Sequence, residues 1–282
     1  MSFFRFHYRR LFSVGVAAGI FFSGMNFGTA AENENGFSQR EVNDQAVMSL
    51  VWMQTSAEYR SLCYQAYNTA LERVAMAVAH HRAGDKPLAI VLDVDETVLD
   101  NTPIEACYVD TEGVFNTKDW KEWCVAGRAE AMPGAADFLQ AVDKLGVDIF
   151  YVTNRTEKSG TIKNFRAVNF PLADADHLLL KKTSSYKKPR FEKIADQYDV
   201  IVYMGDNAED CLPEAYDKPF AERNDIVDRH RAEFGTKFIV LPNPDYGNWE
   251  SSLAKDYWNL SPAQKNEARK KVLKKWVPGK DK

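Results

Sequence analysis

Apolar positions along the chain follow two patterns, one with helical spacing and one of short continuous runs. Residues 40–83 carry apolar side chains at helical spacing, which predicts one long helix that ends at the Gly-Asp-Lys-Pro stretch of residues 84–87. Continuous apolar runs, which are typical of strands buried on both faces, lie at 88–92, 147–152, 177–180, 200–204 and 237–241. Helical stretches between these runs lie at 134–145, 157–168 and 189–197.

The alternation of strands and helices predicts an α/β fold, a Rossmann-like parallel sheet flanked by helices. Helices added at the N-terminal and C-terminal ends complete this prediction, and Ser261-Pro262-Ala263-Gln264 is typical of a helix start. Residues 102–132 interrupt the alternation with several aromatic side chains, and we interpret them as a small cap inserted after the first strand. The basic residues beyond 265 either contact an anionic membrane surface or form a solvated helix face, and the second interpretation is favoured.

The first thirty residues have the pattern of a secretory signal peptide. Three arginines precede an apolar run at 11–27, and small residues follow it, which predicts cleavage near Ala30 or Ala31. A retained membrane anchor is the alternative, because the run approaches the length of a spanning helix. Since the first cysteine is Cys63, a lipid-modified N-terminal cysteine is excluded. We therefore expect one domain at 31–282 that is periplasmic or secreted, without a lipid anchor or a membrane span.

The net charge and the cysteine content limit the kinds of partner and the cellular compartment that we expect. The formal net charge is −4, and loss of residues 1–30, which hold three arginines and no acidic residue, makes it −7. This balance argues against a nucleic-acid polymer as partner. An exported protein with four cysteines can form disulfides, and Cys107 with Cys124 is the first pair to test; four buried thiols are an equally weighted alternative. The oligomeric state stays open, a homo-oligomer included.

Polar clusters follow three of the apolar runs directly. Asp93 and Asp95 follow the first run, residues 153–155 (Thr-Asn-Arg) follow the second, and Asp206 and Asp210 follow the run at 200–204. Because ligands of open α/β sheets bind beyond the carboxyl ends of the strands, we expect these clusters to converge at one edge. One Asp-x-Asp pair could equally cap a turn or a helix. Four carboxylates from two strand ends favour a cation site, since only a cation offsets their repulsion.

This set of groups suits phosphoryl transfer. Such a reaction needs a nucleophile, a proton donor for the leaving oxygen and positive groups around the phosphoryl oxygens. Asp93 can attack phosphorus, and Asp95 can protonate the departing alkoxide. Mg²⁺ suits the site because it prefers carboxylate, phosphate and water oxygens.

Four segments together resemble one protein family. They are residues 93–101 (DVDETVLDN), 151–155 (YVTNR), 205–210 (GDNAED) and 241–250 (LPNPDYGNWE). They resemble the motifs of haloacid-dehalogenase-superfamily phosphatases. More narrowly, they resemble the class C, four-aspartate acid phosphatases, a group that includes bacterial surface lipoprotein 5'-nucleotidases. The resemblance covers about residues 45–255.

The resemblance implies an exported magnesium-dependent acid phosphatase that works through an aspartyl-phosphate. It implies that Thr153 binds the phosphoryl group and that a lysine steadies it; the family spacing selects Lys187, with Lys188 as the alternative. The implied magnesium ligands are the carboxylates of Asp93 and Asp206, the backbone carbonyl of Asp95, and Asp210 through water.

The substrate is expected to be a small phosphomonoester, with nucleoside monophosphates preferred. Trp120 and Tyr246 are candidates to sandwich a base, although both could be ordinary packing aromatics. Asn154, in the second motif, is a further candidate for substrate binding. A phosphotransferase and a catalytically silent surface-binding protein on the same fold are the alternatives.

Overall fold

A five-stranded parallel sheet forms the centre of the computed structural model, which describes residues 36–279. Its strands, in the order β5-β4-β1-β6-β7, are β1 (Leu88–Leu92), β4 (Asp148–Thr153), β5 (Leu178–Leu180), β6 (Asp199–Gly205) and β7 (Phe238–Val240). A separate antiparallel pair consists of β2 (Leu99–Asp100) and β3 (Glu130–Ala131). The predicted α/β fold with a parallel sheet is confirmed, since a strand forms in each of the five apolar runs.

Helices surround this sheet. In chain order they are α1 (Gln39–Asn43), α2 (Val47–Thr55), α3 (Ala57–His80), α4 (Thr102–Ala106), α5 (Thr117–Ala126), α6 (Ala135–Lys144), α7 (Lys158–Ala167), α8 (Lys188–Ala195), α9 (Ala208–Cys211), α10 (Phe220–Arg229), α11 (Asn248–Ser251) and α12 (Pro262–Lys271). The three helical stretches predicted between strands correspond to α6, α7 and α8. The predicted helix start at 261–264 is also found, because Ser261 and Gln264 form a capping box at the start of α12.

The prediction of one continuous helix over 40–83 is wrong. The segment is divided into α1, a short 3₁₀ turn, α2 and α3. Ser56 between α2 and α3 has an extended backbone (ψ 142°), and its hydroxyl accepts a hydrogen bond from the Tyr59 N–H at 3.1 Å. A serine that caps a helix N-terminus stabilises a new helix start, so the chain turns here although the apolar spacing continues.

Both faces of the central strand are buried, as the continuous apolar run predicts. Ile90 and Leu92 of β1 belong to the larger core, which includes residues of α3 and α6. Ala89 and Val91 point into a second cluster, which Phe191 of α8 also joins. Because β1 lies between β4 and β6, its carboxyl end is the point where the chain changes direction across the sheet. Ligand sites in open α/β sheets lie at such a point.

The stretch that the sequence predicts to be a cap contains α4 and α5. The two-residue strands β2 and β3 pair on either side of it, with Leu99 opposite Ala131 and Asp100 opposite Glu130. This pairing holds the two ends of the segment that contains α4 and α5 together, next to the end of β1.

The cysteines all lie in the described part of the chain and all are free thiols. Cys107 and Cys124, the first pair to test, are therefore not joined, and the alternative of four buried thiols fails at Cys107, which is exposed, whereas Cys63, Cys124 and Cys211 are buried. Between residues 36 and 279 no helix has both the length and the apolar character needed to cross a membrane. The predicted signal peptide and its cleavage position lie outside the described residues.

Candidate active site

Three largely buried carboxylates meet beyond the carboxyl ends of β1 and β6. Asp93 directly follows β1, and its backbone N–H donates to the Met204 carbonyl on β6 at 2.9 Å. Asp206 and Asp210 follow β6, and each of the three carboxylates offers an oxygen within 4.8 Å of the others. The structure thus brings together residues that are more than a hundred positions apart in the sequence.

Lys187 lies between two of these carboxylates. It immediately precedes α8, and its Nζ is 2.5 Å from Asp93 Oδ1 and 2.6 Å from Asp210 Oδ1. The side chain is almost fully buried. Lys188, the alternative left open by the sequence, is instead exposed, with its Nζ 3.8 Å from Glu192. The geometry therefore places Lys187 at the site and Lys188 on the protein surface.

Burial and mutual repulsion change the acidity of these groups. Burial raises the pKa of Asp93 to about 7; Lys187 opposes this shift, and Asp210 adds to it. Burial also raises the pKa of Asp206 well above its ordinary value and raises that of Asp210. Burial lowers the pKa of Lys187, but the neighbouring Asp210 and Asp93 outweigh this effect and raise it.

The charges fit a divalent cation. Three carboxylates are opposed by one ammonium group, so their ionised state leaves an excess of buried negative charge. Hard oxygen donors at this spacing are ligands that Mg²⁺ and similar cations prefer, and a bound cation removes the repulsion.

The end of β6 is shaped to hold Asp206 and Asp210. A side chain on Gly205 would place its Cβ 2.1 Å from the Asp210 Cβ, so the Asp210 side chain occupies the space that a larger residue would need. The Asn207 N–H donates to Asp210 Oδ2 at 3.0 Å. Asp206 Oδ2 accepts hydrogen bonds from the amides of Asn207 (2.7 Å) and Asn243 (2.8 Å). Asn243 was not predicted as a site residue, although the fourth quoted segment contains it.

Asp95 is held by a separate set of donors. Its Oδ1 accepts from Arg155 Nε at 2.8 Å and from Asn101 Nδ2 at 2.9 Å. Its Oδ2 accepts from the Thr153 hydroxyl at 3.4 Å. Arg155 and Asn101 were also missed by sequence reasoning, although both lie inside quoted motifs. Asp95 therefore lies at the same strand end as Asp93, but its carboxylate is not one of the three that come within 4.8 Å of one another.

The second strand end supplies Thr153 and Asn154. Thr153 is buried, and its hydroxyl also accepts from the Arg155 N–H at 3.1 Å. Asn154 is exposed, and its Oδ1 accepts from Arg190 Nη2 at 2.8 Å, while Arg190 Nη1 donates to the Thr153 carbonyl at 2.6 Å. Burial lowers the pKa of Arg190, with the nearby Asp93 acting in the opposite direction. Arg190 is a further cation at the site that the sequence did not single out.

Both predicted aromatic residues lie next to neighbours of Asp95. The Arg155 guanidinium carbon is 5.5 Å from the centre of the Trp120 ring, and the centres of the Phe115 and Trp120 rings are 6.1 Å apart. The Tyr246 hydroxyl donates to the buried carboxylate of Glu96. Burial raises the pKa of Glu96 well above its ordinary value, and the Asp95 charge adds to this effect.

Comparisons with known proteins agree with this geometry. Residues 21–249 match the family described as HAD superfamily, subfamily IIIB (acid phosphatase). The chain is similar to the class C acid phosphatase from Bacillus anthracis, with 38% identity and a TM-score of 0.78 over 84% of this chain and 99% of that one. For the same phosphatase with tungstate bound, the values are 39%, 0.79, 83% and 99%.

Among curated proteins, acid phosphatase 1 from Solanum lycopersicum is 27% identical over 130 residues. This match includes 43% of the chain and 51% of the relative, so the chain spans about half the length of that protein. The family match covers most of the chain, and the structural match includes nearly all of the bacterial phosphatase. The chain therefore belongs to the acid phosphatases of the HAD superfamily, subfamily IIIB.

Proposed function

We propose that this protein is a magnesium-dependent acid phosphatase that hydrolyses small phosphomonoesters through an aspartyl-phosphate. The observation that carries the proposal is the position of the Lys187 ammonium group, between Asp93 and Asp210 at the end of the central strand. Asp93, Lys187 and the remaining carboxylates are the groups that such a reaction needs at one place.

In the first step the Asp93 carboxylate attacks phosphorus, and the bond from phosphorus to the alcohol oxygen breaks. Asp95 donates a proton to that oxygen as it leaves. In the second step Asp95 takes a proton from the water that attacks the phosphoryl group, which releases inorganic phosphate and restores Asp93. Lys187 uses two of its three N–H donors on carboxylates, so the third is available for a phosphoryl oxygen, as is the Thr153 hydroxyl.

Magnesium would be held by the carboxylates of Asp93 and Asp206, the backbone carbonyl of Asp95, and Asp210 through water. When bound, it supplies positive charge against the phosphoryl oxygens. Oδ1 of Asp95 already accepts hydrogen bonds from Arg155 and Asn101, which supports the backbone carbonyl of this residue over that oxygen as a metal ligand.

We propose nucleoside monophosphates as the preferred substrates and residues 102–132 as a cap over the site. Trp120 on α5 lies above Arg155, and Tyr246 approaches from the loop after β7, so the two aromatic rings border the site from different segments. Aromatic side chains bind any base by stacking. Asn154, exposed at the end of β4, would contact the substrate beside the phosphoryl group.

The test is an assay of purified protein with nucleoside monophosphates, glycerol 2-phosphate and p-nitrophenyl phosphate, with MgCl₂ or EDTA. Turnover that requires Mg²⁺ and is lost by at least about 1,000-fold in Asp93→Asn supports the mechanism. The reverse result, a folded Asp93→Asn protein with wild-type turnover, would refute it. Equal kcat/KM for nucleotides and glycerol 2-phosphate would refute the substrate preference alone.

Export is also a proposal, and it depends on residues 1–30. Fractionation of cells that produce the full chain, followed by N-terminal sequencing, tests it. A mature protein that begins near Glu32 in the periplasm or medium supports export. An uncleaved cytoplasmic protein contradicts it.

A further inference from the structure

The two carboxylate oxygens of Asp95 have different surroundings. Oδ1 accepts from Arg155 Nε at 2.8 Å and from Asn101 Nδ2 at 2.9 Å, and Arg155 Nη2 lies 2.7 Å from the same oxygen. Oδ2 has one long contact, with the Thr153 hydroxyl at 3.4 Å. An oxygen that already faces three N–H donors cannot carry a proton as well. Oδ2 is therefore the oxygen of Asp95 that is free to exchange a proton.

The Arg155 side chain is a buried cation beside Asp95. It is completely buried, and its Nη1 is the only buried side-chain nitrogen or oxygen without a hydrogen-bond partner among residues 36–279. A buried cation with an unsatisfied donor is unfavourable for folding, since the interior replaces its lost hydration incompletely. The remaining contacts of Arg155 run to Asp95, Asn101 and the face of Trp120. The hydrogen bonds of its guanidinium group therefore converge on Asp95 and its neighbour Asn101.

Asn101 fixes the arrangement from the other side. Its Oδ1 accepts from Trp123 Nε1 at 2.8 Å and from Arg155 Nη2 at 3.0 Å, so its Nδ2 must face the carboxylates. Nδ2 donates to Asp95 at 2.9 Å and lies 3.3 Å from Glu96. Since both donors and acceptors are matched, the amide has one orientation, and it holds Oδ1 of Asp95 together with Arg155.

We propose that Arg155 is a positioning residue for Asp95, supported by Asn101, and that Oδ2 is the oxygen through which Asp95 exchanges protons. This inference rests on the proposed role of Asp95 as general acid and base. As the bond between Asp93 and phosphorus forms and the ester bond breaks, the proton on Oδ2 passes to the leaving alcohol oxygen. Oδ2 then accepts a proton from the attacking water, while Oδ1 keeps its hydrogen bonds to Arg155 and Asn101 throughout.

The leaving group gives a readout that a structural role would not change. A p-nitrophenolate leaves readily without a proton, whereas the alkoxide of glycerol needs one. The quantity to measure is the ratio of kcat/KM for p-nitrophenyl phosphate to kcat/KM for glycerol 2-phosphate, because kcat/KM reports the steps up to ester cleavage. Asp95→Asn should raise this ratio, since it removes the proton donor itself.

For Arg155→Gln we expect a loss of about 100-fold with glycerol 2-phosphate and about 10-fold or less with p-nitrophenyl phosphate. Arg155→Lys should lie between this variant and wild type, because an ammonium group keeps the charge but lacks the planar set of donors. Asn101→Ala should raise the ratio in the same direction, which provides a second test if Arg155→Gln does not fold. Circular dichroism and thermal melting establish that each variant is folded.

Arg223→Gln is the matched control. Arg223 is a buried arginine paired with a carboxylate, Glu209, at 2.9 Å, and it does not contact Asp95. Its replacement should lower the melting temperature and leave the ratio at the wild-type value. A ratio that rises in the Arg155 and Asn101 variants as it does in Asp95→Asn supports the inference.

Two other outcomes separate the inference from the function on which it rests. If Asp95→Asn raises the ratio but the folded Arg155 and Asn101 variants keep the wild-type ratio, the positioning role is wrong and the proposed function stands. If Asp95→Asn itself keeps the wild-type ratio, or wild type cleaves neither ester, the role of Asp95 or the proposed function fails first.

Discussion

In the absence of divalent cations, the protein should become less stable as pH rises from 5 to 8. Burial raises the pKa of Asp93 from 3.8 to about 7. Between pH 5 and pH 7 the Asp93 carboxyl group is therefore ionised in the unfolded chain but mostly protonated in the folded one. A group with a raised pKa contributes stability that is present below its unfolded pKa and is lost as pH rises through the folded value. Metal-free protein should therefore lose stability between pH 5 and about pH 7.

The magnitude follows from the shift. Each pH unit between 5 and 7 costs about 1.4 kcal/mol, so Asp93 alone lowers the free energy of unfolding by about 3 kcal/mol. For a chain of this size, that loss corresponds to a fall in melting temperature of roughly 6–12 °C. The raised pKa values of Asp206 and Asp210 act in the same direction. A bound divalent cation favours the ionised carboxylates, so Mg²⁺ should restore more stability at pH 8 than at pH 5.

Thermal melting at pH 5 and pH 8, with EDTA or with MgCl₂, measures both effects. Asp93→Asn is the control, because an uncharged amide of the same shape removes the contribution of Asp93 to the pH dependence; its metal-free form should be more stable than wild type at pH 8. The reasoning is refuted if metal-free wild type melts at the same temperature at both pH values, or if Mg²⁺ raises the melting temperature equally at both.

Three substitutions, the first with a control variant at Lys188, test other parts of the structure. Lys187→Met should lower kcat by about 1,000-fold, since it removes the cation between Asp93 and Asp210. Lys188→Met should keep kcat within about 2-fold of wild type, because Lys188 lies on the surface. Comparable losses of kcat for the two variants in steady-state assays would contradict the assignment of Lys187 to the site. Gly205→Ala should cost about 1–3 kcal/mol in chemical denaturation and reduce Mg²⁺ affinity, because the added Cβ overlaps the Asp210 side chain; a wild-type midpoint would show that the strand end yields easily. Ser56→Ala should cost about 1 kcal/mol of unfolding free energy through loss of the α3 cap, with kcat/KM unchanged.

The sheet could be predicted from the sequence because its strands are buried on both faces. Such strands are continuous apolar runs, and all five were found in this way. The helix break at Ser56 was missed because the apolar spacing continues through it. The start of α3 depends on a single hydroxyl group, that of Ser56, which caps the helix N-terminus. Periodicity reports which face of a helix is buried, and it does not report where one helix ends and the next begins.

The carboxylates and Lys187 could be identified because they follow strand ends or match a motif. Arg155, Arg190 and Asn243 could not, because their importance lies in partners that are remote in sequence. Asn101 could not, because its orientation depends on Trp123 and Arg155. Arg155 and Asp95, for example, are 60 positions apart. A polar residue inside a motif gives no sign of whether its side chain is solvated or buried against a carboxylate, and only the fold decides this.

The short pairing of β2 with β3 has a consequence for how this protein could diversify. The two strands pair at the ends of the segment that contains α4 and α5. The length and composition of this segment can therefore change while β1 and β4 keep their register. The segment is in this sense an exchangeable module. Grafting the corresponding segment of a relative should alter the substrate selectivity and leave the sheet intact. Its freedom has a limit, since Asn101 and Trp123 connect it to Asp95. A graft that omits these two residues would change the chemistry together with the selectivity.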